Sequence, residues 1–155
     1  MLKDALLSYL LRQAQLANYQ QIDAVVQEFG LTPSQYMVLG IVKEHREGVS
    51  SSALARRLGV APQSSHEIVS GLERRGLIRR IEDMDGYRRV LRVYLTPKGA
   101  ALLTKCDKQV ARFEESFFGD FSPQELATFR ALLTRLIRDS REKAATDTLA
   151  AFGTR

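Results

Sequence analysis

Apolar residues recur at helical spacing in six stretches of the chain and alternate along two short ones. The first stripe, over residues 3–28, carries Leu7, Leu10, Leu11, Ala14, Ala17, Ile22, Val25 and Val26, and Gly30 ends it. A second helix is expected over 33–46, using Met37, Val38, Ile41 and Val42, with Gly48 as its breaker. Ser50 or Ser51 caps a short third helix carrying Leu54 and Leu58, which stops at Gly59. A fourth runs from Pro62 to about Arg75 and stops at Gly76. The period then changes from 3.6 to 2. Residues 77–81 read as a short strand, 83–86 as a turn, and 90–95 as a second strand with Leu91, Val93 and Leu95 on one face. Two long helices follow. Over 97–118 the stripe is Leu103, Cys106, Val110, Phe113 and Phe117; over 123–145 or beyond it is Leu126, Phe129, Leu133 and Leu136. Both have the 3–4 spacing of coiled-coil packing. Residues 146–155 carry weak signals and read as a C-terminal tail.

The four prolines sharpen these boundaries, because each stands where a helix begins. Thr32-Pro33, Thr96-Pro97 and Ser122-Pro123 place a hydroxyl at the N-cap, and Gln35 and Glu125 complete two capping boxes. Ala61-Pro62 has no capping side chain.

A helix, a tight turn, a helix and a hairpin make the winged helix-turn-helix order, so the fold class is mainly α with a small β-hairpin wing. Leu54-Ala55-Arg56-Arg57-Leu58-Gly59-Val60 supplies the turn: Ala55 lets the helices approach, and Gly59 permits the sharp reversal. In the next helix Ser65, Ile68, Val69 and Leu72 form the inward face. Pro62, Gln63, Ser64, His66, Glu67 and Ser70 form a polar outward one, suited to the edges of DNA bases.

Charge agrees with this placement. The chain has 23 Lys+Arg and 18 Asp+Glu, net +5. Residues 1–53 are net −1 and residues 99–155 net +1, so the excess lies in 54–98, where nine of ten cations are Arg. Arg pairs bidentately with phosphate and with guanine edges. Ser51, Arg57, Arg74, Arg75 and Arg79 are the expected phosphate contacts. Arg88 and Arg89, with Asp85 beside them, are the expected wing residues.

The motifs Leu31-Thr-Pro-Ser-Gln-Tyr-Met-Val-Leu39, Leu54-Ala-Arg-Arg-Leu-Gly-Val60, Leu72-Glu-Arg-Arg-Gly-Leu-Ile-Arg79 and Arg88-Arg-Val-Leu-Arg-Val-Tyr-Leu-Thr96 together resemble the MarR family (multiple antibiotic resistance regulators). The resemblance covers about residues 6–141. It implies a homodimeric regulator, a repressor released by a small ligand, bound to a pseudo-palindromic operator in double-stranded DNA. It implies that residues 1–30 and 97–145 build a dimer layer around a DNA-binding domain at 31–96. Leu7, Leu11, Phe113, Phe117, Leu133 and Leu136 are then the expected interface. Arg12, Tyr19 and Tyr36 are candidates for a pocket taking an aromatic or phenolic ligand. Two positions depart from the family: Glu67 stands where Arg is common, and Gly71 replaces a polar or charged residue.

Other chemistry is sparse. One cysteine excludes an intramolecular disulfide, and Cys106 sits in an apolar stripe, which favours packing over redox sensing. Two histidines and no HExxH, GxxxxGK[ST] or GxSxG motif argue against an enzyme, a metal site or a cofactor. No apolar run approaches the roughly 20 residues of a membrane span, and residues 5–11 read as a helix face rather than a secretory leader, so a cytoplasmic protein is expected. The competing reading is a winged-helix protein-interaction module, its basic wing on an acidic protein partner, for which the Glu67 carboxylate is the main support.

Overall fold

A computed structural model of the chain describes residues 6–85 and 87–152, and their side chains except those of Asp85, Arg88, Arg141 and 143–152. The elements are α1 (Leu7–Gln27), α2 (Pro33–Glu44), β1 (Val49–Ser50), α3 (Ser51–Leu58), α4 (Pro62–Arg74), β2 (Ile78–Asp85), β3 (Arg88–Leu95), α5 (Pro97–Phe117) and α6 (Pro123–Phe152). Six helices and a three-stranded antiparallel sheet of order β1-β3-β2 make a winged-helix fold.

The hydroxyl–proline pairs cap three helices. Thr32 Oγ1 accepts from Gln35 N at 3.2 Å while Gln35 Oε1 accepts from Thr32 N at 3.1 Å. Ser122 and Glu125 repeat the exchange at α6, at 3.3 and 2.8 Å; the Ser122 hydroxyl, donating to Glu125 Oε2 at 2.7 Å, and then Ser122 N hold the Glu125 carboxyl below its ordinary pKa. At α5, Thr96 Oγ1 accepts from Gly99 N at 3.0 Å. Ser50 caps α3, and α4 starts at Pro62 with no side-chain cap.

Several boundaries move from the periodicity reading. β2 runs through Asp85 rather than stopping at Ile81, because its polar end stays paired with β3 down to Asp85↔Arg88. β1 is only two residues long, Val49↔Val93 and Ser50↔Arg92, too short to show any period. It reaches β3 because Gly48 (φ +80°) leaves room for the Tyr94 ring; a Cβ there would sit 2.6 Å from its Cζ. α6 continues through Phe152, into the stretch read as a tail.

The chain forms two compact units, Met1–Phe113 and Glu114–Arg155. This differs from the expected split at 30/31 and 96/97. Ile22, Val25, Val26 and Phe29 of α1 and Leu103, Cys106 and Val110 of α5 join the same core as Val38, Leu39, Leu54, Val69, Leu72 and Val93. Residues 31–96 therefore have no separate core of their own. The 97–118 stripe is thus divided: its first three apolar residues are buried inside the protomer, and Phe113 and Phe117 are only partly buried. In the second unit the Phe118 ring packs edge-on to Phe117 (centroids 4.9 Å) and beside Phe121 and Phe129.

Cys106 is fully buried, and burial, with the Asp107 charge adding to it, pushes its thiol up to about 11. It is a protonated small hydrophobe at neutral pH.

Glu73 ties α4 to β2: it accepts from Arg80 N at 3.1 Å, from Nε at 2.9 Å, and from the terminal guanidinium nitrogen. These bonds hold its carboxyl below its ordinary pKa. A lowered carboxylate pKa contributes stability above the unfolded-state value and loses it as pH falls through the folded one. Glu73→Gln should therefore cost about 1 kcal/mol at pH 7, the pair being partly exposed. The gap to wild type should close on acidification in urea melts; a pH-independent gap would contradict the ion-pair account.

Two glycines should respond oppositely. Gly71 lies inside α4 with only Gln35 Nε2, at 3.8 Å, near an added Cβ, so Gly71→Ala should stabilise by up to about 1 kcal/mol. At Gly99 an added Cβ would lie 2.0 Å from the Leu77 carbonyl oxygen, so Gly99→Ala should lower the denaturation midpoint. Equal midpoints for the two variants would refute the contrast.

Candidate nucleic-acid interface

The helix-turn-helix is built from local signals. α3 ends in Gly59 at φ +68°, and Val60 N returns to Ala55 O at 3.2 Å, closing the helix end with a six-to-one bond. The buried Leu54 and Ala55 set α3 against α4, whose Ser65, Val69 and Leu72 are buried and Ile68 partly so. That leaves Pro62, Gln63, Ser64, His66 and Glu67 exposed and Ser70 half-buried, the face expected from the spacing. Two side-chain pairs one turn apart brace this face: Gln63 Nε2 donates to Glu67 Oε1 at 3.2 Å, and Ser70 Oγ lies 3.4 Å from His66 Nε2.

Two adjoining hollows meet at His66. The larger, about 590 Å³, is lined by Ser50, Ser51 and Ser52 at the start of α3, by His66, and by Arg89, Val90, Leu91 and Arg92 of the wing. The other, about 480 Å³, is lined by Ser51, Ser52, Ala55, Arg56, Gly59, Val60, Pro62 and His66. Ser51, His66 and Arg89 thus line one hollow. The Ser50 side chain takes Ala53 N at 3.3 Å, which fixes the start of α3 at this hollow.

The arginines of residues 54–98 whose side chains are described sort into two groups. The side chains of Arg56, Arg74, Arg79 and Arg89 are exposed and make no hydrogen bond or ion pair among the described residues. The other four are held by the protein. Arg75 donates to the Gly30 and Phe29 carbonyls at 2.6 and 3.5 Å, bracing the end of α1. Arg80 is on Glu73, and Arg92 pairs with Asp83 at 2.8 Å while reaching Gly48 O at 3.4 Å. Arg57, expected at phosphate, turns towards α2, where it lies 2.9 Å from His45 Nε2. His45 Nδ1 is 2.8 Å from the Ile41 carbonyl, so Nδ1 carries the proton and Nε2 accepts from Arg57. The hollow beside the recognition helix is lined by Arg56, which the sequence reading passed over because neighbouring arginines look alike until the helix is phased. The side chains of Asp85 and Arg88, and all of Gly86, lie outside the described residues.

The proposed ligand residues are not gathered in one place. Arg12 and Tyr19 line a shallow hollow of about 280 Å³ on α1 with Gln15 and Leu16. Tyr36 is absent from it; its hydroxyl donates to Asp107 Oδ1 at 3.0 Å, beside the Lys43–Asp107 ion pair at 2.9 Å. Among the described residues no group of three or more His, Cys, Asp or Glu could hold a metal ion, and no helix is long and apolar enough to cross a membrane.

Comparison with known proteins agrees with the geometry. Residues 29–88 match the sequence profile of the MarR family. The chain is 32% identical over 140 residues to a protein of Thauera aromatica named as a transcriptional regulatory protein for the hcr operon, covering 90% of this chain and 83% of that one. Among solved structures, it resembles Staphylococcus aureus MepR in a DNA complex at TM-score 0.73 and 24% identity, covering 88% and 98% of the two chains. It also resembles a Mycobacterium tuberculosis MarR-family protein in complex with salicylic acid at TM-score 0.69 and 26% identity, covering 88% and 99%. The chain belongs to the MarR family of transcriptional regulators.

Proposed function

We propose that the protein is a homodimeric, cytoplasmic repressor that binds a pseudo-palindromic operator and is released by a small aromatic or phenolic ligand. One observation carries the DNA-binding part: the polar face of α4, the serines opening α3 and the Arg89 wing converge on hollows that share His66. Gln63, Ser64, His66, Glu67 and Ser70 meet base edges in the major groove. Ser51, Arg56, Arg74 and Arg79 take phosphates, and Arg89 reaches the minor groove. Arg57 is left out of that set, since its guanidinium donates to His45 Nε2.

Dimerisation is supported by apolar surface that a lone chain leaves in water. Leu7 is 84% exposed and Leu11 48%, and on α6 Leu132, Leu136 and Ile137 are each about half exposed. Two copies related by a two-fold axis place two recognition helices about one DNA turn, roughly 10 bp, apart. A ligand that binds one spacing of those helices better than another shifts the population away from the DNA-competent form. Arg12 beside Tyr19 offers a cation and an aromatic ring to a planar carboxylate, and a relative of the chain binds salicylic acid.

The basic test is a gel shift on duplexes from the chain's own promoter region. Arg89→Ala and Arg56→Ala should each weaken binding by about 1–3 kcal/mol, Arg56→Ala also reducing the salt slope by about one. Arg75→Ala should instead lower thermal stability. Wild-type DNA affinity in both of the first two variants would refute the interface.

Leu136→Asp should shift the sedimentation mass from dimer to monomer, because a buried unpaired carboxylate opposes association. An unchanged mass would place the dimer contact elsewhere.

A further inference from the structure

We infer that Glu67 is a specificity-determining residue: with Gln63 it makes the recognition helix select exposed amino groups, adenine N6 or cytosine N4, and reject guanine where it touches the major groove. The inference rests on the DNA-binding reading above and deepens it.

The argument begins with the bond between the two side chains. Gln63 Nε2 lies 3.2 Å from Glu67 Oε1. An ionised carboxylate only accepts hydrogen bonds, so the amide nitrogen must face it and the amide oxygen must face away. The orientation of Gln63 is therefore decided by chemistry. Facing outward are the Gln63 Oε1 acceptor and the second Glu67 oxygen, which has no hydrogen-bond partner among the described residues. Both residues are exposed, one turn apart on the face of α4 that turns away from the core.

The rest of the helix reinforces this polarity. From Pro62 to Glu73, α4 carries no Lys or Arg. The commonest guanine contact, a guanidinium or ammonium on O6 and N7, is therefore missing from this helix up to its last residue, Arg74. Guanine presents two acceptors to the major groove, and against a carboxylate these repel. Adenine and cytosine each present an amino donor there. The positive charge of the interface comes from elsewhere: Arg56, Arg74 and Arg79 fall on phosphates, which carry no sequence information, and Arg89 on the minor groove, whose base pattern is degenerate. Glu67 also repels phosphate, so it weakens binding to DNA whose bases cannot repay the contact.

The test uses the full chain. Duplexes are selected from a random library by wild type and by Glu67→Ala, and affinities are measured by fluorescence anisotropy at fixed salt. Wild type should enrich adenine or cytosine at one or two positions in each half-site. Replacing that base with an analogue lacking the exocyclic amine should weaken wild-type binding by about tenfold, and Glu67→Ala binding by less than about twofold. Glu67→Ala should also bind random duplex more tightly than wild type, a change in the opposite direction that loss of folding does not produce. The adenine and cytosine analogues tell the two bases apart. Identical preferences and equal sensitivity to amine removal in the two proteins would overturn the role of Glu67. Failure of the wild type to select any sequence would instead overturn the DNA-binding reading, and this inference with it.

Discussion

The structure is organised around one peptide carbonyl. Leu77 O accepts from Thr96 N at 3.1 Å and lies 3.0 Å from Thr96 Oγ1, and Gly99 packs so close to it that no side chain fits between. Leu77 N in turn closes the end of α4 on Leu72 O at 3.0 Å. The end of the recognition helix, both strands of the wing at their base, and the start of α5 are thereby joined within a few residues. A buried carbonyl left unpaired is costly, so the junction forms as a whole or not at all. The Glu73–Arg80 pair and the Lys98 contact to Arg75 O at 2.8 Å surround the same point. What α4 and the wing present to DNA is consequently set relative to α5, the helix that leads out of this unit.

The same junction explains how the positive charge is divided. A segment of net +5 suggests a basic surface, yet five of its ten cations are held by the protein itself: Arg57 on His45, Arg75 and Lys98 on backbone carbonyls, and Arg80 and Arg92 on carboxylates. The arginines of the segment that have no partner among the described residues lie on the flanks of α4, at α3, at the end of α4 and on the strands. α4 is itself free of Lys and Arg up to Glu73. In the proposed interface, affinity and selectivity are thus assigned to different elements.

Much of the fold was legible because its signals are local. Hydroxyl–proline caps, glycine stops and apolar stripes act within a few residues, so helix starts and ends followed from the sequence, and the exposed face of α4 followed from its inward spacing. The MarR resemblance was legible for the same reason: its motifs are these local signals in a fixed order. β1 was not legible, since two residues show no period and Gly48 earns its place only against the Tyr94 ring 46 residues later. The division of the α5 stripe was equally hidden. Leu103 and Phe113 look alike in sequence, and only the packing of α1, α2 and the sheet shows which is buried.

The sequence by itself determined the element order, the winged-helix class, the polar face of the recognition helix and the concentration of arginine around it. These depend on covalent neighbours and on helix or strand periods. Tertiary structure alone decided which arginines point outward, that Arg56 rather than Arg57 borders the hollow by the recognition helix, and that Tyr36 sits on Asp107 instead of beside Arg12 and Tyr19. Those outcomes depend on partners far away in the chain. A guanidinium takes the nearest acceptor in space, and sequence distance does not say which acceptor that is.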